Sequence, residues 1–396
     1  MPANTATGLI HHPYRAPEGF MSPVVPVAKA STVFFRDLAH LRHQQWVDKS
    51  GYTYGLHGTP TTFTLEARLA SLEGAAHALL TPSGLSAIAV VDQAVLSSGD
   101  HLLIPDNAYA PSKALARNEL ARWGVSHDVY DPMDALSLRA ALRPSTRLVW
   151  LEAPGSVTME FPDLLALIRT VRQAVPQAVV ALDNTWGAGL AFKAFELDEG
   201  LAVDLTIHAL TKYPSGGGDV LMGSICVNDR SLHDRLAWTH SRLGLGVGAN
   251  DVETVLRALP TLALRYHAQD KAARSLAAWC VTQPGVRRVL HPALPDSPGH
   301  SNWAALCRAA AGIFSIEIDP RHESARVDRF VESLELFGLG WSWGGPMSLA
   351  VPYEAHALRS LPHDHEGTIV RLCIGLEDVE DLRADLAQGL ARLAGD

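Results

Sequence analysis

The sequence predicts an α/β protein: a large, mostly parallel sheet domain, a smaller C-terminal α+β domain and an N-terminal arm. Three observations carry that reading. Apolar, β-rich runs alternate with helix-like stretches from residue 61 to about residue 255. Beyond them, a long helical tract gives way to strands mixed with helices, and the first sixty residues are rich in Pro, Gly and aromatics with little helical period. The resulting division is an arm over 1–59, a large domain over 60–255 and a C-terminal domain over 256–396. It agrees with two or three domains at roughly 150 residues each.

The arm reads as extended chain with short turns. From Thr62 to Leu72, the spacing of Phe63, Leu65, Leu69 and Leu72 predicts an amphipathic helix. Strands are predicted at LLIP (102–105), RLVWLEAP (147–154), AVVALDN (178–184), LTIHAL (205–210) and GSICV (223–227), with helices near 84–98, 111–122 and 161–175. Runs that are apolar at successive positions rather than alternate ones belong to parallel strands covered on both faces. A helical tract then spans about Val252 to Thr282, followed by a strand at 312–319, a helix near 325–337, a strand near 368–374 and a closing helix from Asp378. There is no internal repeat.

Composition excludes several classes. With 47% hydrophobic and 19% charged residues the chain has the makings of a sizeable core. A net charge of −9 without a basic stripe argues against nucleic acid as a partner. Cys226, Cys280, Cys307 and Cys373 form no CxxC pair, so a reducing, cytoplasmic setting is expected. The N-terminus lacks a charged segment followed by an apolar one, and the most apolar stretch, Ala87 to Leu96, is broken by Asp92 and Gln93. Neither a signal peptide nor a membrane span is expected. His363 and His365 in PHDHEG lack the further ligands a metal needs and read as a solvated loop, so no metal is expected. Gly244, Gly246 and Gly248 give GxGxG after a charged helical stretch, not the GxGxxG that follows a strand, and no GxSxG is present.

Ligands of open parallel sheets sit beyond the carboxyl ends of the strands. Two predicted strand ends carry chemistry: AVVALDN delivers Asp183, and LTIHAL leads to Thr211 and Lys212 in TKYPSGGGD. A lysine there needs a partner or a covalent task. A plain Asp183–Lys212 ion pair satisfies the first; a carboxylate for a pyridine nitrogen beside an imine-forming lysine satisfies the second, and is what pyridoxal phosphate requires. Ser83 and Gly84 in TPSG stand at a predicted helix start, either as a simple cap or as a cradle for the phosphate. Tyr109 in DNAYAPS follows the LLIP strand, as a turn aromatic or as a stacking partner for the cofactor ring.

Taken together, YTYGLHGTPT, TPSG, DNAYAPS, LEAPGSVTME, LDNTWGAG, TKYPSGGGD, SWGG and IVRLCIGLED resemble, in order and over about residues 50 to 390, the Cys/Met-metabolism enzymes that depend on pyridoxal 5′-phosphate. The resemblance implies an aminotransferase-like, type I fold. It implies Lys212 as the lysine that links to the cofactor and as the catalytic base, Asp183 as the partner of the ring nitrogen and Tyr109 as the stacking and proton-handling tyrosine. Gly84, Leu85 and Thr211 correspond to phosphate contacts, and Tyr54 to a tyrosine that reaches the phosphate, and the substrate, from a neighbouring subunit. Arg371 corresponds to the α-carboxylate arginine, for which bidentate geometry is suited, while Ser342 and Trp343 line the substrate pocket.

Within the family the resemblance points to the branch that cleaves carbon–sulfur bonds at Cβ. This implies a small amino-acid thioether as substrate: L-cystathionine, yielding homocysteine, pyruvate and ammonia in methionine biosynthesis. It also implies a homo-oligomer, a dimer of dimers, with shared active sites. The alternatives are γ-cleaving or γ-replacing relatives, a broad lyase for cysteine S-conjugates, or a regulator that keeps the fold without the chemistry. Three motifs depart from the family's pattern: Leu56 and His57 stand where arginines are common, Met347 where glutamate is common, and Gly217–Gly218 where His-Ser is frequent.

Overall fold

Two sheets, one after the other along the chain, organise the molecule. In the computed structural model, which describes residues 5–11, 18–19, 22 and 24–394, the first sheet contains β1 (His77–Thr81), β2 (His101–Pro105), β3 (Ser126–Tyr130), β4 (Thr146–Glu152), β5 (Val179–Asp183), β6 (Leu205–Ala209) and β7 (Gly223–Val227). Their order is β1-β7-β6-β5-β4-β2-β3, with β7 antiparallel to both neighbours and every other pair parallel. Both faces are covered, which is why the strands are apolar at successive positions. Leu148, Trp150, Ala181 and Ile207 face the helices Gly84–Val95 and Arg230–Leu243, whereas Val149, Leu151, Val180 and Leu182 face the helix Leu164–Ala174.

The second sheet is β8 (Val286–Leu290), β9 (Ile313–Ile318), β10 (Gly338–Leu339), β11 (Leu349–Glu354) and β12 (Thr368–Cys373), ordered β10-β11-β12-β9-β8. The helices Leu262–Cys280, Ser324–Glu332 and Val379–Ala394 pack against it.

Several expectations are corrected. The arm is not uniformly extended: Thr5–Ile10 and Leu38–His43 are helical, the second capped by Asp37, whose side chain accepts from the His40 N–H. Six residues are too few to show a period. The tract 252–282 is broken into Ala249–Ala258, a 3-10 turn at Leu259–Thr261 and Leu262–Cys280, because Pro260 offers no N–H. The helix near 161–175 starts only at Leu164, after Pro162, with Asp163 capping Ala166. The helix near 325–337 ends at Glu332. Strands β1, β3, β8, β10 and β11 are additional.

The two sheets meet across a buried ionic seam. The Arg359 side chain, 2% exposed, lies 3.2 Å from Asp106, just after β2, and 2.8 Å from Glu160. Asp106 also accepts from the Ser360 and Leu361 N–H groups at 2.9 and 2.8 Å. His365 lies 3.4 Å from both Glu160 and Glu317, and Arg288 and Arg287 hold Glu317 from the far side. The expectation of a solvated loop at PHDHEG therefore fails for His365: its ring is buried because two carboxylates share it.

Candidate active site

The site forms at the carboxyl ends of β4, β5 and β6 and is closed by the loop that leads into β11. Gly84 opens its helix directly against β6. A Cβ at that position would meet the Ala209 Cβ at 2.7 Å, so only glycine lets the helix start come this close. The Ser83 hydroxyl caps the Ser86 N–H at 3.0 Å and the Ser83 carbonyl takes the Ala87 N–H. Gly84 and Leu85 are left with N–H groups that have no partner among the described residues, at the positive end of a helix. Free donors in this arrangement can hold a phosphate. The Thr211 hydroxyl, two residues beyond Ala209, exchanges hydrogen bonds with the Met222 backbone, at 3.2 Å to C=O and 3.1 Å from N–H.

Lys212 follows β6 by three residues. Its Nζ donates to Ser342 Oγ at 3.0 Å and lies 5.7 Å from the centre of the Trp343 ring. Ser342 holds a φ of 138°, outside the range that a side chain prefers. Gly344 brings the loop so close that a Cβ there would meet the Tyr213 N at 2.8 Å. Burial, and then the Arg371 charge, push the Lys212 ammonium below its ordinary value, while Asp183 opposes the shift. An amine so placed loses its proton more readily than a surface lysine.

Asp183 ends β5 and accepts from the Thr185 N–H at 2.9 Å. Burial pushes its carboxyl up; the Thr185 hydrogen bonds and the Lys212 charge oppose this. In register opposite it on β4 stands Glu152, which the sequence reading did not single out. Burial and the adjacent Asp183 push Glu152 well above the carboxylate range, and it accepts the Tyr109 N–H at 2.8 Å. Glu152 was discoverable by the rule that found Asp183, since it too follows an apolar run at a strand end. The Tyr109 phenol is pushed up by burial and by these two carboxylates.

Arg371 is buried on β12, opposite Val351 on β11 and Ser315 on β9. Its charge acts on Lys212, Tyr109 and Cys373, which brings it to the same site. Tyr54 is not gathered in with the others. It is 48% exposed, bridged to Thr32, with its ring steeply inclined to that of His57 and the two ring centres 6.2 Å apart. His57, one of the residues standing in for arginine, is committed elsewhere: it bonds Thr53 at 2.8 Å and Ser241 at 3.1 Å and stacks on Trp46 at 4.1 Å.

A helix-borne anion cradle, a partly buried lysine of lowered basicity, a buried strand-end carboxylate and an adjacent phenol fit pyridoxal phosphate, and together they define an enzyme of the type I fold that uses this cofactor. The chain belongs to the Cys/Met metabolism PLP-dependent enzyme family, whose sequence model matches residues 6–391. It is 36% identical over 372 residues to the cystathionine beta-lyase MetC of Escherichia coli (strain K12), covering 93% of each chain. It is likewise 36% identical over 372 residues, at 93% of each chain, to the cystathionine beta-lyase of Salmonella typhimurium. Among solved structures, a cystathionine gamma synthase from Xanthomonas oryzae pv. oryzae in complex with aminoacrylate and cysteine superposes with a TM-score of 0.89, at 30% identity, over 100% of this chain and 99% of that one.

Proposed function

We propose that the protein is a carbon–sulfur β-lyase that cleaves L-cystathionine to homocysteine, pyruvate and ammonia. The observation that carries this reading is the contact of Lys212 Nζ with Ser342 beneath Trp343, next to Arg371, a base held beside a carboxylate receptor. The naming of the Escherichia coli and Salmonella typhimurium relatives supports it. Gly84, Leu85 and Thr211 would hold the phosphate, Tyr109 would cover the ring and Asp183 would face its nitrogen. When bound, pyridoxal phosphate supplies the electron sink that accepts the pair left on Cα.

The chain's own groups do the rest. Arg371 receives the α-carboxylate and fixes how Cα is presented. Lys212, depressed in basicity by burial and Arg371, takes the Cα proton and is kept in place by Ser342. Asp183 holds a negative charge against the ring nitrogen. The departing thiolate receives a proton from Lys212 or from the Tyr109 hydroxyl. Incubation with L-cystathionine tests the reading: pyruvate supports β-cleavage, whereas 2-oxobutyrate would assign the protein to γ-chemistry.

A broader thioether specificity is favoured by one feature. Trp341 is 83% exposed and Met347 66% exposed, on the loop that carries Ser342, and residues 338–353 contain no charged side chain. Such a rim suits apolar S-substituents better than the charged distal end of cystathionine. Pyruvate release from S-benzyl-L-cysteine, compared with L-cystathionine as kcat/KM, separates the two.

We also place Tyr54 at the site of a second subunit, within a homo-oligomer built as a dimer of dimers. The half-exposed Tyr54 and Tyr52 and the almost fully exposed Phe34 support an arm that is covered by another copy. A cytoplasmic setting is in keeping with four buried, unpaired cysteines.

A further inference from the structure

The guanidinium of Arg371 is buried, yet no carboxylate among the described residues forms an ion pair with it and its Nε has no hydrogen-bond partner. A buried cation in that condition needs another source of negative potential. The structure offers one. Tyr353 lies two residues beyond Val351, the register partner of Arg371, so its side chain emerges on the same face of the sheet, diagonally across from Arg371. The Arg371 Cζ lies over the Tyr353 ring, 5.4 Å from its centre. This is the geometry in which the negative face of an aromatic ring attracts a guanidinium.

We propose that Tyr353 is a positioning residue for the substrate: its ring backs the Arg371 guanidinium and fixes the orientation in which the α-carboxylate is received. The residue reaches both halves of the site, because its phenol also interacts with Arg371 and Tyr109. Pro352 assists. It leaves β11 one N–H short, but the strand keeps its register with β12 from Leu349↔Cys373 to Glu354↔Thr368, so Tyr353 is held rather than frayed. The proposal rests on Arg371 as the carboxylate receptor; the β-cleavage reading can fail without it.

The experiment is a titration of the holoenzyme, followed by the visible band of its cofactor, with L-alanine and with L-alaninamide. L-Alanine has a carboxylate and no leaving group, so its binding is independent of β-cleavage. Replacing the ring by Tyr353→Leu, or by Tyr353→Gln should the first variant not fold, is expected to weaken L-alanine binding by about tenfold. L-Alaninamide binding should be unchanged, and Tyr353→Phe, which keeps the ring and gives up only the phenol's contact with Arg371, should lose clearly less than Tyr353→Leu. With L-cystathionine the same loss is expected in KM, with kcat nearly retained. In an Arg371→Lys background the loss should shrink, since the flat guanidinium is gone. The proposal is overturned if the ring-free variants bind L-alanine as tightly as wild type. It is equally overturned if they lose both ligands alike, or if Tyr353→Phe is as damaged as Tyr353→Leu. Failure to form pyruvate, with L-alanine binding still dependent on Tyr353, would sink only the lyase reading.

Discussion

Lys212 stands where an ammonium ion is held at a disadvantage, by burial and by the Arg371 charge, and where one acceptor, Ser342, fixes its amine. In the proposed role, Lys212→Ala would remove both the covalent anchor of the cofactor and the base. Turnover should fall by at least about a thousandfold, and borohydride should no longer fix cofactor mass onto the protein, as read by mass spectrometry. Asp183→Asn is a subtler change. The amide keeps the size and the Thr185 contact but cannot hold a negative charge against the ring nitrogen. The variant should stay folded, while Cα–H exchange of L-alanine in heavy water slows by about a hundredfold or more. Both residues could be found in the sequence because each follows a continuous apolar run, which makes a charged side chain conspicuous. Tyr353 could not: Pro352 disguises β11 as a loop, and nothing local says that a ring two positions past Val351 will lie under an arginine eighteen residues further on. Arg371 was reached only through the family resemblance of VRLCIGLED.

At the start of the helix Gly84–Val95, glycine is demanded by contact and not by backbone angle. The nearest atom to an added Cβ is the Ala209 Cβ at 2.7 Å, on a strand buried on both faces. Gly84→Ala should push the helix start away from β6, spread the two free N–H groups and reduce stability by about 1–3 kcal/mol. The measurable outcome is a weaker apparent Kd for pyridoxal phosphate, larger than the shift in Tm of the cofactor-free protein alone would explain. The arm gives a second prediction. If Tyr54 serves a neighbouring site, mixing inactive Tyr54→Phe with inactive Lys212→Ala under subunit exchange restores one working site per heterodimer. Exchange without recovered activity would make Tyr54 a packing residue of its own chain. Central strands were legible because burial on both faces leaves a solid apolar run. The edge strand β3, SHDVY, is largely polar and partly exposed, and β8, VRRVL, carries two arginines that serve the seam, so neither announces itself.

Across the whole molecule, the contact between the sheets should respond to pH. His365 lies between Glu160 and Glu317, with Arg288, Arg359 and Asp364 close by, and its pKa is raised: burial opposes protonation, but the two carboxylates outweigh it. A raised value means stabilisation that is complete below the unfolded histidine value, near about 6.5, and that fades as pH rises through the folded value. Glu160 and Glu317 are each lowered to about 2, so their contribution is present above the unfolded glutamate range and is lost as pH falls toward that value. Burial raises both carboxyls, and hydrogen bonds from His365 head the interactions that outweigh it. Thermal midpoints should therefore decline as pH rises above about 6.5 in the wild type, and His365→Phe should flatten that decline while lowering stability at the acidic end. A slope unchanged by the substitution would place the titrating group elsewhere. The sequence could not reveal this seam, because its members come from residues 106, 160, 288, 317, 359 and 365 and meet only once both sheets are built.

The same seam has a consequence for heredity. Breaking one partner from a buried ion pair strands the other, at about 3–5 kcal/mol, and here most members answer to two or more others: Glu160 to Arg359, His365 and Asn107, Arg359 to Asp106 and Glu160, and Glu317 to His365 and both arginines. A change at any one position therefore disturbs several partners at once. Lineages descending from this chain should keep the set intact or exchange several members together, passing through costly intermediates, whereas exposed pairs such as Arg257–Glu253 and Arg36–Asp37 are free to drift one residue at a time.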